Sequence, residues 1–232
     1  LSARQFLSRV KRKLVPNRYY ADKQRYWEQR YEQLGSALES SGRRHMSEAD
    51  NEANYETKWA HLLPVLERLE AGDRLCDAGC GVGWFTERFV ARGLRVTAVD
   101  FTETGLAAAR ERVGGDVEWV CSDLAAYRSD QPFDMVACID VLFHVVDDGE
   151  WEEVVRNLGA LAAGGLLVIQ DHLVEVATPP PSGPAGTFHT RWRTLGDYQR
   201  VLAGSELDLH DHYDLPMEET TKDLMVFRVP AA

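Results

Sequence analysis

The chain has 232 residues, 44% apolar and 27% charged, which is enough for one sizeable core and too apolar for a wholly disordered chain. Its 26 basic and 37 acidic residues give a formal charge of −11, which argues against broad nucleic-acid binding. The charge is segregated, since residues 1–30 carry nine Lys or Arg against two Asp or Glu, leaving a strongly acidic remainder.

Phe6, Leu7, Val10 and Leu14 stand at helical spacing among positive charges, predicting a basic amphipathic helix or arm over residues 1–18. It is either solvated or a surface for a membrane or an acidic partner, and for the protein as a whole a homodimer or a protein partner is an open alternative. A second helix is expected over Tyr19–Leu34, a loop over Gly35–Ser47, and a third helix over Trp59–Leu69 that Pro64 kinks or ends. From Asp73 onward, short apolar runs alternate with helical ones. Strands are expected at Arg74–Ala78, Arg95–Asp100, Val117–Cys121, Phe133–Ile139 and Gly165–Gln170, with helices at Trp84–Ala91, Glu103–Val113 and Trp151–Leu161. Pro179, Pro180, Pro181 and Pro184 interrupt regular structure near the carboxyl edge of the sheet. A helix at Thr194–Leu202 and strands at Leu207–Tyr213 and Leu224–Val229 close the chain. This rhythm predicts an α/β, doubly wound, mostly parallel sheet of seven strands with helices on both faces. One domain over residues 55–232, preceded by a helical arm and possible cover over 1–54, accounts for the length.

Cys76, Cys80, Cys121 and Cys138 lie in or beside apolar, strand-like stretches and are expected to be buried free thiols. Cys76 and Cys80 lack Cys or His neighbours at zinc-module spacing. No apolar run approaches the roughly 20 residues that span a bilayer, and the basic start lacks a signal-peptide core, so a cytoplasmic location is expected.

The run Asp77-Ala78-Gly79-Cys80-Gly81-Val82-Gly83 follows a predicted strand and precedes a predicted helix. Glycines there permit a sharp turn and close approach of a ligand to the backbone. Their alternate spacing departs from the G-x-G-x-x-G of dinucleotide sites. With Asp100 ending the next strand, Asp123-Leu124 beyond the third and Asp140 to His144 beyond the fourth, the sequence resembles the class I S-adenosylmethionine-dependent methyltransferase family. The resemblance covers residues 55–230 and is sharpest over 73–172. It implies a single-domain Rossmann-like methyltransferase fold and S-adenosyl-L-methionine as cofactor, with Asp77, Gly79 and Gly81 forming the turn. By the same resemblance, Asp100 binds the ribose hydroxyls, Asp123 lies beside the adenine, Phe101 and Leu124 flank it, and the segment from Asp140 lines the methionine end.

Methyl transfer needs an aligned acceptor and, for a hydroxyl, removal of its proton. Asp171-His172, at the exit of the fifth strand, is the leading acid/base pair, and His144 a second candidate base. The alternative for the pair is a histidine bonded to a local carboxylate that fixes the loop, and for His144 a ring that packs beneath the cofactor or shapes the pocket. His189, Arg191 and Arg193 could anchor an anionic acceptor or simply begin a helix. Asp140, Asp171 and His172 resemble the ligand placement of magnesium-dependent oxygen methyltransferases, but no further ligand is evident, and the expected site is metal-free. Tyr19, Tyr20, Tyr26, Trp27 and Tyr31 either cover the cleft or complete the core. The expected activity is methyl transfer to a small molecule, foremost a hydroxyl of a sugar or aromatic metabolite. Nitrogen or carbon methylation and a noncatalytic cofactor-binding partner are the alternatives.

Overall fold

Seven short runs that alternate apolar side chains to two faces assemble into one sheet: β1 (Arg74–Ala78), β2 (Arg95–Asp100), β3 (Val117–Cys121), β4 (Met135–Ile139), β5 (Leu166–Asp171), β6 (Glu206–Asp214) and β7 (Thr221–Arg228). The computed structural model describes residues 18–44, 46–177, 190–217 and 220–231. The predicted helix at 1–18 falls almost wholly outside these, as do the proline-rich stretch and His189. Strand order is β3-β2-β1-β4-β5-β7-β6. β1 to β5 pair in parallel, whereas β7 runs antiparallel to both β5 and β6. This is the mostly parallel seven-stranded sheet that the sequence rhythm predicts.

The period-two alternation of the strands sorts the core into two layers. Leu75, Met135, Ala137, Val168, Leu224 and Val226 face α1 (Arg18–Leu34), α2 (Glu48–Leu66) and α3 (Trp84–Ala91). Between α3 and the second layer of helices the chain forms α4 (Glu103–Arg112), against which α1 packs. Cys76, Val136, Cys138, Leu167, Ile169 and Phe227 face α5 (Asp148–Leu161) and α6 (Leu195–Val201). Fully buried Trp151 and Tyr198 meet edge-on beneath this second face, with ring centroids 4.9 Å apart. Each such aromatic removes on the order of 150–250 Å² from water, so this pair anchors α5 and α6 to the sheet.

The largest departure from expectation is α2, which begins at Glu48 and not at Trp59. Ser47 caps it by accepting from the Asp50 amide, and the helix runs through Pro64 to end two residues later. Its buried face is Asn51, Asn54, Tyr55, Lys58, Leu62, Val65 and Leu66, a regular helical stripe whose first half is polar and so carries no apolar periodicity. The arm-to-domain boundary expected at 54/55 lies inside this helix. Cys76 and Cys138 are buried and Cys80 is partly buried, but Cys121 is exposed because it ends the edge strand β3; all four are free thiols.

Candidate active site

β1 and β4 are neighbours whose connections leave toward opposite flanks of the sheet, which opens a crevice at their carboxyl ends. Gly79, Gly81 and Gly83 build its floor with φ of +83°, +55° and +78°, a region that side chains with a Cβ rarely adopt. A Cβ on Gly79 would overlap the Val141 side chain, and one on Gly83 would press on Ala109 and Val113 of the neighbouring helical layer, 3.0 Å away. Asp77 lies beneath the turn and accepts from Thr86 Oγ1 at 2.6 Å, fastening β1 to α3. Asp100 takes three donors: Gly81 N at 3.1 Å on one oxygen, and Thr102 N at 2.9 Å and Thr102 Oγ1 at 2.8 Å on the other.

The crevice encloses about 1040 Å³, its open mouth included. Gly79, Gly81, Asp100, Phe101, Asp123, Leu124, Asp140 and His144 all border it. So do Trp27 and Tyr31 of α1, Ser41, and Tyr55 of α2, which the sequence motifs did not single out beyond the two α1 aromatics. Lys23 on α1 reaches across the mouth to ion-pair with Glu150 and, at 3.7 Å, with Asp123. Trp27 meets the His144 ring edge-on with centroids 5.1 Å apart. Of the five expected cover aromatics, Trp27 and Tyr31 thus serve both as core and as cavity wall.

Asp140 borders the crevice as expected, but its carboxylate is engaged within the fold. It stands at φ +59° and its carboxylate is spent on two buried ammonium groups, Lys58 at 2.5 Å and Lys222, with Gln170 Nε2 3.3 Å from the same oxygen as Lys222. Burial opposes its ionisation, but Lys222 and Lys58 hold the carboxyl well below the ordinary carboxylate range. The two lysines come from polar positions of α2 and from the start of β7, beyond any motif.

Asp171 and His172 do not border the crevice, and their side chains do not form the expected acid/base dyad. Asp171 is fully buried beneath α6, where it accepts from the Tyr198 hydroxyl and the His172 amide. The His172 ring donates through Nδ1 to the Thr221 carbonyl at 2.8 Å, because a carbonyl can only accept. Burial and nearby Lys222 lower its pKa to about 4, so the ring is neutral at physiological pH. Arg191 and Arg193 are likewise buried and engaged: they bond to the Val146 and Val145 carbonyls at 3.2 and 2.9 Å, and Arg191 pairs with Asp148 at 2.6 Å. These arginines pin the wall after His144. The trio Asp140, Asp171 and His172 does not gather as a ligand set, since ammonium groups take the first and a tyrosine the second.

Burial raises the Asp77 carboxyl to about 7, against the lowering effect of Thr86, and raises Asp171 to a similar value. A folded pKa above the unfolded one stabilises fully below about pH 4, and that contribution is lost as pH rises through about 7. Asp77→Asn, which fixes the neutral state, is therefore expected to flatten the fall in unfolding free energy between about pH 5 and pH 8. Urea melts of the two proteins across that range provide the check; parallel pH slopes would contradict it.

Comparison with known proteins agrees with this geometry. A family model described as a methyltransferase domain matches residues 75–165. Trans-aconitate 2-methyltransferase of Paracidovorax citrulli is 33% identical over 181 residues, 69% of each chain. The chain belongs to the class I S-adenosylmethionine-dependent methyltransferase family. Other curated relatives, among them ubiquinone biosynthesis O-methyltransferases and nodulation protein S, match over 33–57% of their own length. The fold is shared with magnesium protoporphyrin IX methyltransferase of Synechocystis with bound S-adenosylhomocysteine (TM-score 0.67, 17% identity, 93% of this chain and 98% of that one). It is shared too with a Burkholderia thailandensis 1,6-didemethyltoxoflavin-N1-methyltransferase (TM-score 0.65, 20% identity, 93% and 91%). The protein is an S-adenosylmethionine-dependent methyltransferase. The residues of this methyltransferase suit that cofactor: a glycine floor with no room for a Cβ at Gly79, an acid at Asp100, and an apolar slot at Phe101, Leu124 and Val154. No described helix is long and apolar enough to cross a membrane.

Proposed function

We propose that this methyltransferase methylates an oxygen of a small molecule, foremost a hydroxyl of a sugar or aromatic metabolite, and that His144 receives the acceptor's proton. The observation that carries the reading is the placement of His144 in the wall of the crevice that Asp100 and the glycine turn also line. An alcohol must lose its proton as it attacks, whereas a neutral amine can attack first, so an imidazole at the acceptor end favours oxygen chemistry. Bound S-adenosylmethionine supplies a methyl carbon on a sulfonium, from which sulfur leaves with the bonding pair as S-adenosylhomocysteine. Asp100 accepts from the ribose hydroxyls, Phe101 and Leu124 flank the adenine, and Asp123 borders it. Asp140 serves the methionine end through its turn, because its carboxylate is committed to the lysines. Trp27 and Lys23 close the mouth and exclude water. His172 and Asp171 stay outside this scheme as supports of the wall.

His144→Gln is expected to lower the single-turnover methyl-transfer rate about 10²- to 10⁴-fold, in line with general-base contributions, while S-adenosylhomocysteine binding stays within a few fold. Equal single-turnover rates in the two proteins would remove His144 from the mechanism.

A further inference from the structure

The donors expected at a glycine turn are already in use here. Gly79 N and Cys80 N both bond to the Val99 carbonyl, at 2.7 and 3.0 Å, and Gly81 N bonds to Asp100 at 3.1 Å. An anionic group entering over Gly81 must find hydrogen-bond donors elsewhere, since an unpaired carboxylate cannot be held in a partly dry site. The opposite wall supplies them. The Tyr31 hydroxyl lies 3.3 Å from where a Cβ on Gly81 would stand, and Ser41 Oγ lies 3.6 Å from the same point. Tyr31 is only 4% exposed, borders the crevice, and its hydroxyl has no hydrogen-bond partner among the described residues. The hydroxyl is not one of the fully enclosed atoms that lack a partner; it opens on the crevice, where a bound group can accept from it. Burial, followed by the charge of Asp100, raises its pKa well above the usual value, so it is a donor and not a phenolate.

We propose that the Tyr31 hydroxyl, seconded by Ser41, binds the amino-acid carboxylate of the cofactor over Gly81. The ribose is the poorer match, because its hydroxyls already have Asp100 to donate to, whereas a carboxylate offers only acceptor oxygens and must find donors. The carboxylate is the cofactor group that needs donors, and α1 brings one from outside the stretch that the family match covers, residues 75–165. Position is enforced from the far side as well: the Tyr31 ring edge lies 2.9 Å from where a Cβ on Gly105 would stand, so the absence of that Cβ lets the ring sit flat against α4.

The proposal rests on the cofactor assignment and is independent of the acceptor. Calorimetric binding of S-adenosylhomocysteine and of 5′-methylthioadenosine, which keeps the nucleoside but lacks the amino-acid part, is compared in wild type and Tyr31→Phe. The variant is expected to bind S-adenosylhomocysteine about tenfold more weakly, the scale of one hydrogen bond to a charged group, and methylthioadenosine within about twofold of wild type. Its unliganded melting temperature should be unchanged, since the hydroxyl bonds to none of the described residues. Unaltered S-adenosylhomocysteine affinity overturns the proposal, and so does an equal loss for both ligands, which would mark a loosened wall. Absence of wild-type binding would instead contradict the cofactor assignment itself. Ser41→Ala should show the same ligand selectivity at smaller size.

Discussion

Asp140→Ala is expected to lower unfolding free energy by about 3–5 kcal/mol, the cost of removing one partner from a buried ion pair. The side chains of Lys58 and Lys222 are 6% and 4% exposed, so neither ammonium can turn to water once the carboxylate is gone, and the two would then face each other. Coulomb repulsion between them at an effective dielectric of about 20 is of the same order as the lost attraction. Urea denaturation supplies the number, and a loss below about 1 kcal/mol would show that the lysines are solvated some other way. A double variant separates charge from shape: adding Lys222→Met to Asp140→Ala removes one of the stranded cations and should restore part of the loss. The turn itself imposes a second demand. Asp140 adopts φ +59° at the exit of β4, which aspartate tolerates better than most residues, and this bend sends Val141 against Gly79. Stability and the shape of the methionine end are therefore joined at one residue.

Asp100→Asn should weaken S-adenosylhomocysteine binding about 10²-fold while costing the fold much less. Two hydroxyl donors to a carboxylate contribute on the order of 1.5–3 kcal/mol each, and the amide retains one good acceptor for them at most. The amide oxygen can still take Thr102 N and Thr102 Oγ1, which keeps the N-terminus of α4 capped. What it cannot do is offer a second acceptor, because its nitrogen then faces Gly81 N across 3.1 Å, donor against donor. Asp100→Ala is the harsher change, since it strands all three internal donors as well. Calorimetry reads the affinity and thermal melting the fold; unchanged affinity in Asp100→Asn would remove Asp100 from the cofactor site.

The central stretch of this fold was legible because each strand between Arg74 and Asp171 is a short apolar run closed by a residue with a reason to be there. Glycine follows β1, Asp100 ends β2 and Asp140 follows β4. The inner runs β1, β2, β4 and β5 are buried on both faces, so hydrophobicity alone reveals them, whereas the edge strand β3 is only partly buried. The acceptor side was harder to read. Lys58 and Lys222 are buried, yet nothing local to either suggests it; each gains its partner only when α2 and β7 close on β4. A stripe of Asn51, Asn54, Tyr55, Lys58 and Leu62 at helical spacing was the available signal, and it is visible only when polar residues are allowed to count as an inward face. Asp171-His172 misled for the opposite reason. Adjacent residues on a strand point to opposite faces, so sequence neighbours of this kind are poor candidates for a side-chain dyad. His144, one helical turn past β4, follows no such alternation, and its 3-10 turn delivers it to the crevice.

The atom that receives the methyl group decides between oxygen, nitrogen and carbon chemistry. Incubating the protein with small-molecule extracts and S-adenosylmethionine carrying a deuterated methyl, then locating the label in the product by mass spectrometry and NMR, identifies that atom directly. We expect label on an acceptor oxygen, formed at a rate that His144→Gln sharply reduces. Label on nitrogen or carbon, or formed equally fast without the imidazole, would contradict it.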